Sequence, residues 1–243
     1  MSTTLSEASP TPAQAPNPAL ALGFREPVHD AQETFTAIMD AMARPGLIKV
    51  ARPAQMKVAQ PGPLKTVTLP QGAPVGLHLT TASVLLTLLD HDSSVSFDAT
   101  LDDQEGLRRW NAFHTGAPVA DSPADADFAV LATFDETLAL DEYRQGEPSY
   151  PDRSTTLIIQ VDRLQNGAGW RLTGPGIQTE HLLDVDPTVE PAGASFLDQW
   201  NRNRGQFPLG VDIVLCAPDA IACLPRTVKI EAAMAEAGTN EGV

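Results

Sequence analysis

The chain has 243 residues, 42% of them hydrophobic, and a formal net charge of -15 from 31 acidic and 16 basic residues. That apolar content is enough for one large domain with a packed core. The negative balance excludes non-specific nucleic-acid binding, which needs a positive field to displace counterions. No run is long and apolar enough to span a bilayer, and the first residues lack the basic-then-apolar pattern of a signal peptide, so the expected compartment is the cytoplasm.

Residues 1–20 carry Pro10, Pro12, Pro16 and Pro18 among Ser, Thr, Ala and Gln, with no apolar period, and are expected to be a disordered tail. A single domain is expected over 21–235, followed by a flexible tail at 236–243. Within it, Val28, Ala31, Phe35, Ile38 and Met42 recur at three- and four-residue steps, which predicts a helix with that face inward. Arg44-Pro45-Gly46 ends it, because Pro disfavours helix at the residue before it and Gly releases the turn. Leu47-Ile48-Lys49-Val50 reads as a strand, and the Pro- and Gly-rich stretch 52–76 as an excursion with a short strand near Val67.

A short helix through Leu85, Leu86, Leu88 and Leu89 is expected to be capped by Thr80 or Thr81. Val95-Ser96-Phe97 reads as a strand. Asp102 and Glu105 have the spacing of a capping box for a helix that runs to about His114 and stops at Gly116. Phe128 to Leu131 is a buried strand, and Asp135 is expected to start a helix ending near Gly146. Thr155 to Val161 is the strongest strand in the chain, β-branched and almost continuously apolar. Asn166-Gly167 predicts a turn that returns Trp170-Arg171-Leu172-Thr173 against it as a hairpin. Ser195 to about Arg204 is a helix with Phe196, Trp200 and Leu197 facing inward, and Val211 to Cys216 is the last core strand. The fold class is therefore α/β, in three layers: a mixed sheet flanked by helices.

Chemistry-bearing residues gather in four segments of the second half. Tyr150-Pro151-Asp152-Arg153-Ser154 precedes the strongest strand. Either Arg153 offers a bidentate fork to an anion or partner with Asp152 orienting it, or the two form a local pair that stabilises the start of the strand. Gly174-Pro175-Gly176 lacks Walker spacing and a following Lys-Ser or Lys-Thr, and Pro175 removes a backbone donor, so it reads as a tight turn. Asn203-Arg204 and Phe207-Pro208-Leu209-Gly210 link a helix to the strand that opens on Asp212. A charge in an apolar strand needs a partner, here Arg153, Arg204 or Arg226, the last within Leu224-Pro225-Arg226-Thr227.

Other chemistry is not indicated. His29, His78, His91, His114 and His181 fall in no HxH or HExxH spacing, and Cys216 and Cys223 read as buried thiols rather than metal ligands. GxSxG, CxxC and GxGxxG are absent from the sequence.

Gly23-Phe24, Pro27-Val28, Ala31-Gln32, Phe35 and Ile38 to Gly46, followed in order by the YPDRSTT, LTGPGI, FPLGVD and LPRT segments, resemble the H subunit of the bacterial carbon–phosphorus lyase core (PhnH). The likeness covers about residues 22–231. It departs at Val228, where a second Thr or similar residue is expected. The resemblance implies a fold similar to pyridoxal-phosphate-dependent transferases without the cofactor. It also implies work with subunits G, I and L to form ribose 1-methylphosphonate 5-triphosphate from ATP and methylphosphonate with release of adenine, subunit J cleaving the C–P bond later. With only Lys49, Lys57, Lys65 and Lys229 available, no lysine stands in an obvious Schiff-base constellation, and no cofactor or metal is expected.

Two functions compete. In the first, the chain is an accessory subunit, a homodimer when isolated, whose loops dock partners. In the second, it is a stand-alone enzyme or binding protein that clamps a phosphorylated small molecule with Arg153, Arg204 and Arg226. Tyr150, Asp152, Arg153, Arg204, Asp212 and Arg226 are the expected contacts to substrate or partner in either case.

Overall fold

A computed structural model describes residues 23–53, 67–102, 105–134, 138–186 and 195–233. The expected tails at 1–20 and 236–243, and Asp135, lie outside the described residues.

The first helix, α1, is Pro27–Ala43, with Pro27 at its first position and Gly46 (φ 79°) releasing the chain beyond Arg44. Its inward face is only partly the expected one: Ile38 is buried and Met42 packs against the core, but Val28 and Phe35 turn outward. Thr34, Ala37, Ile38 and Ala41 are buried, while Val28, Phe35 and Met39 are exposed. Small residues beside Ile38 let the helix lie close on its neighbours, and Val28, Phe35 and Met39 project outward. Two acids join the buried face because each has a partner: Asp30 accepts from the backbone N–H of Glu26, and Asp40 meets both Arg44 and Lys49.

Strands β1 (Lys49–Pro53) and β2 (Val67–Leu69) follow, then α2 (Leu79–Leu88). His78 rather than a threonine precedes α2, and no side chain caps it; the Thr80 hydroxyl donates instead to Ala217 O at 2.5 Å. After β3 (Val95–Phe97) come a short helix, α3 (Ala99–Asp102), and α4 (Glu105–His114). Asp98 starts α3 by accepting from the N–H of Leu101 at 2.9 Å, four residues before the expected cap. The helix expected to end near Gly146 is replaced by a 3-10 turn at Leu140–Glu142 and a hairpin of β5 (Gln145–Glu147) and β6 (Tyr150–Ser154). Between α4 and this turn runs β4 (Phe128–Leu131).

The strongest strand is β7 (Thr156–Gln160). It does not pair with its successor, β8 (Arg163–Thr173), because both of its edges are taken by parallel neighbours, β4 and β10 (Asp212–Ala217). Asn166 and Gly167 sit in an irregularity within β8, which pairs with β9 (His181–Asp186) instead. Helix α5 (Phe196–Gly205) starts on Ser195, whose Oγ accepts from the N–H of Asp198, and buries Phe196 and Trp200 as expected. Strand β11 (Ala220–Leu224) returns from β10, and β12 (Lys229–Ala232) pairs with β8.

The main sheet has seven strands in the order β2-β1-β11-β10-β7-β4-β3, with parallel pairing at four of its six junctions, so it is mixed and mainly parallel. Successive residues of its central strands serve opposite cores. Ile158, Val214, Cys216, Ile221 and Cys223 pack under α1, α2 and α4, while Leu157, Ile159, Ile213, Leu215 and Leu224 pack on the other face. That second face is covered by α5 together with the three-stranded sheet β12-β8-β9, so its third layer is only partly helical. A pair of strands buried on both faces needs such continuous apolar runs.

Candidate functional site

The register of the parallel strands aligns Asp212 with Thr156 and Thr156 with Phe128, placing the start of β10 beside the segment that joins β6 to β7. A turn beyond β11, closed by the N–H of Val228 to Pro225 O at 2.9 Å, brings Arg226 back over the same edge. Asp212 accepts from the backbone N–H of Arg226 at 2.6 Å and from its Nε at 3.2 Å. Arg226 is thus the partner that the charge at Asp212 requires.

The remaining donors of Arg226 are also engaged. Nη1 donates to Pro151 O and to Pro208 O, each at 3.1 Å, and Nη2 donates to Ser154 Oγ at 2.5 Å. One guanidinium therefore ties together the YPDRS, FPLG and LPRT segments. Its side chain is only 13% exposed, so these bonds are made where water competes poorly.

Helix α5 fixes the same loops from below. Asn203, fully buried, donates through Nδ2 to Val211 O at 3.0 Å and accepts from the N–H of Val211 at 2.7 Å. Gly210 (φ 111°) lies so close that a Cβ there would stand 2.7 Å from Asn203 Oδ1. The indole N–H of Trp200 reaches Val228 O at 2.9 Å.

Around Arg226 the surface forms a shallow open hollow of about 330 Å³, lined by Pro151, Asp152, Phe207, Pro208, Pro225 and Thr227 with the ion pair as its floor. Phe207 is 63% exposed and Tyr150 49% exposed. Arg153 does not pair with Asp152; its guanidinium stacks over the ring of Tyr150, 4.1 Å from the centroid. Arg204 donates to Thr227 O at 3.4 Å. Of the six expected residues, Asp212 and Arg226 make direct contact and Asp152 lines the hollow beside them; Tyr150, Arg153 and Arg204 do not line it, although Arg153 follows Asp152 in the chain and Arg204 bonds the lining residue Thr227. Phe207, Pro151, Pro208 and Pro225 belong to the segments that the sequence marks, and they line the hollow although they are not among the six expected contacts.

Arg153, Arg202 and Arg204 also differ from seven of the other arginines in their charge partners. Arg44, Arg52, Arg108, Arg144, Arg163, Arg171 and Arg226 each face a carboxylate. Among the described residues no carboxylate lies within ion-pair distance of Arg153, Arg202 or Arg204. Arg202 borders a second hollow of about 180 Å³ beside Gln206, on α5 just before the Phe207-Pro208 segment.

A second polar group lies along the same strand ends. Asp127 accepts from Ser94 through both backbone N–H and hydroxyl, each at 2.8 Å, and pairs with Arg144. Burial pushes the Asp127 carboxyl up, but the Ser94 bonds and the Arg144 charge outweigh it and hold the carboxyl below its ordinary range.

Gly174-Pro175-Gly176 does not join this site. It is a turn, closed by the N–H of Ile177 to Gly174 O at 3.1 Å, and it packs against the end of α1. A Cβ at Gly176 (φ 84°) would stand 2.1 Å from Ala43 O, and His181 Nδ1 lies 2.6 Å from Pro45 O. Pro45-Gly46 and Gly174-Pro175-Gly176 therefore meet each other.

The opposite, carboxyl-terminal ends of the parallel strands are closed by the chain itself. Gln160 donates to Gly76 O at 2.8 Å and accepts from the N–H of His78 at 2.7 Å, and His78 Nδ1 lies 3.0 Å from Cys216 O. Lys49 and Lys229, the two described lysines, pair with Asp40 and Glu231. Cys216 and Cys223 are buried free thiols, and burial pushes Cys216 up to about 12.

An ordered set of Pro-Gly segments that fold onto one another, on a mixed α/β sheet, defines a protein whose signatures shape a surface. The profile of the family described as bacterial phosphonate metabolism protein (PhnH) matches residues 22–231. The chain is 38% identical over 210 residues, 86% of its own length and 94% of the relative's, to the alpha-D-ribose 1-methylphosphonate 5-triphosphate synthase subunit PhnH of Rhizobium meliloti (strain 1021). It is 32% identical over 199 residues, 82% of its length and 85% of the relative's, to the putative C-P lyase subunit protein HtxG of Stutzerimonas stutzeri. The chain belongs to the PhnH family of bacterial phosphonate metabolism proteins.

Proposed function

We propose that this chain is an accessory, non-catalytic subunit of a cytoplasmic carbon–phosphorus lyase system. In this reading it acts with subunits G, I and L in the transfer that forms alpha-D-ribose 1-methylphosphonate 5-triphosphate from ATP and methylphosphonate, releasing adenine, and shares an assembly with subunit J. The observation that carries the reading is the engagement of Arg226. Its donors hold Asp212, Ser154, Pro151 O and Pro208 O, so the family signatures set the shape of a loop surface. A surface fixed in advance loses little ordering entropy on docking.

A single domain over 21–235, a fold similar to the pyridoxal-phosphate-dependent transferases and a homodimer in isolation belong to the same reading. The outward apolar residues of α1, Val28, Phe35 and Met39, favour association with a like subunit. A stand-alone arginine clamp on a phosphorylated metabolite is disfavoured, because Nε, Nη1 and Nη2 of Arg226 are all taken, Nη2 by both Ser154 and Asp212, which leaves it no donor to offer such a ligand.

The experiment is to purify the chain alone and with the matching G, I and L subunits and to measure adenine release from ATP plus methylphosphonate. Release only with the full set is expected. Turnover by the chain alone would overturn the accessory role, and failure to copurify with any of the three would overturn membership of the assembly.

A further inference from the structure

We propose that the Arg226 hollow receives an extended, carboxylate-bearing segment of a partner subunit, with Arg153 and Arg204 as the cations that meet its acidic side chains; this rests on the docking role proposed above. Three observations converge on it. The first is charge. On a chain of net charge -15, most arginines already face a carboxylate, yet among the described residues Arg153 and Arg204 meet none. Exposed guanidiniums left without acids on so acidic a protein are complementary to acids that come from outside.

The second is position. Arg226 bonds Pro151 O, two residues before Arg153, and Arg204 bonds Thr227 O, the residue after Arg226. Each cation is therefore joined to a residue that lines the hollow, Arg153 as the chain neighbour of Asp152 and Arg204 through its bond to Thr227 O. Arg153 is held by its stack on Tyr150, which fixes the fork without using all of its donors.

The third is shape and lining. The hollow is shallow and open, and its lining offers prolines and the exposed ring of Phe207. A small phosphorylated ligand is usually enclosed in a deeper cleft. An extended segment that lays apolar side chains on Phe207 and the prolines and acids on the flanking arginines fits an open, aromatic- and arginine-rich surface, the composition of interface hot spots. Asp152 on the rim repels a misplaced acid and so helps set the register.

The test uses the full chain co-expressed with the matching G, I, J and L subunits. The variants are Arg153→Glu combined with Arg204→Glu, a milder Arg153→Gln with Arg204→Gln, and a remote control, Arg163→Glu. Folding is checked by circular dichroism and thermal midpoint. The dissociation constant for the remaining subunits is measured at low and physiological salt, and inorganic tripolyphosphate is the small-anion probe in a thermal-shift assay. The Glu pair is expected to weaken assembly at least tenfold, the Gln pair less, and the salt dependence is expected to flatten in both while the control matches the wild type. An unchanged dissociation constant in the folded Glu pair overturns the proposal while leaving membership of the assembly intact. So does a tripolyphosphate shift that the variants abolish without any change in assembly, which would assign the arginines to a small anion. Absence of wild-type copurification is a different failure, that of the docking role itself.

Discussion

Asp212 accepts from three groups of Arg226, its backbone N–H at 2.6 Å, its Nε at 3.2 Å and its Nη2, so a single carboxylate fixes both the path of a turn and the side chain on it. The fork then reaches three more acceptors on two further loops. Replacing Arg226 by Met leaves Asp212 without its cation and two carbonyls without donors. We expect a loss of about 2–3 kcal/mol in unfolding free energy by urea titration, from the cost of a half-buried charge left alone. Arg226→Lys should recover less than half of that loss, because one ammonium cannot span the acceptors of a planar fork. A Lys variant as stable as the wild type would show that geometry matters little there.

Gly176 presses on the end of α1, and its φ of 84° disfavours any side chain. Gly176→Ala should destabilise by about 2 kcal/mol or more, because the clash is with backbone and cannot be relieved by rotating a side chain. Gly205, at the end of α5, meets nothing within 4 Å of an added Cβ. Gly205→Ala should be neutral or stabilising by up to about 1 kcal/mol. Thermal midpoints of the two variants should move in opposite directions.

Asp127 gives a pH-dependent contribution with a definite sign. Its carboxyl is held below the ordinary range in the folded chain, so its stabilisation is full above the unfolded value, about 3.9, and is lost as the pH falls through the lower folded value. Ser94→Ala removes a hydroxyl donor and should bring the carboxyl back toward its ordinary value. Urea midpoints should then separate wild type from variant at pH 6 and converge by about pH 2. Equal separation at both values would detach the effect from Asp127.

The outward face of α1 allows a sharp comparison. Ile38 is 3% exposed and Phe35 is 48% exposed. Ile38→Ala should cost about 2–4 kcal/mol and Phe35→Ser less than about 0.5 kcal/mol in the monomer, measured by denaturation at low concentration. Sedimentation of Phe35→Ser at higher concentration should report weaker self-association if α1 forms the contact between copies.

Buried thiols should be inert. With Cys216 pushed up to about 12 and Cys223 also raised, mainly by burial, a disulfide reagent at pH 8 should label neither in the native protein and both after unfolding. Rapid native labelling of either thiol would contradict the packing of β10 against β11.

Much of this was readable in advance, and the failures have physical causes. The period of α1 announced a helix and placed Ile38 and Met42 inward, but it also placed Val28 and Phe35 there by hydrophobicity, whereas close packing selected Thr34, Ala37 and Ala41. The strength of β7 was plain from its β-branched run. Its partners were not, because a strand buried on both faces carries no sign of which edge is free, and Asn166-Gly167 serves a local irregularity equally well. At the site, the sequence demanded a cation for Asp212 and offered three. Only the return of the chain after β11 brings Arg226, rather than Arg153 or Arg204, within reach. The Asp127, Ser94 and Arg144 group joins residues far apart in the chain and had no local pattern to announce it.

Gln160 has a further consequence. In open α/β sheets the groove beyond the strands' carboxyl ends is where a small molecule is usually lodged. Here a glutamine, a histidine and the stretch from Gly76 to His78 have become a stopper in that groove, sealed by hydrogen bonds of 2.7–3.0 Å. A guest there would have to break these bonds first, whereas at the opposite pole the rings of Tyr150 and Phe207 already lie open to solvent.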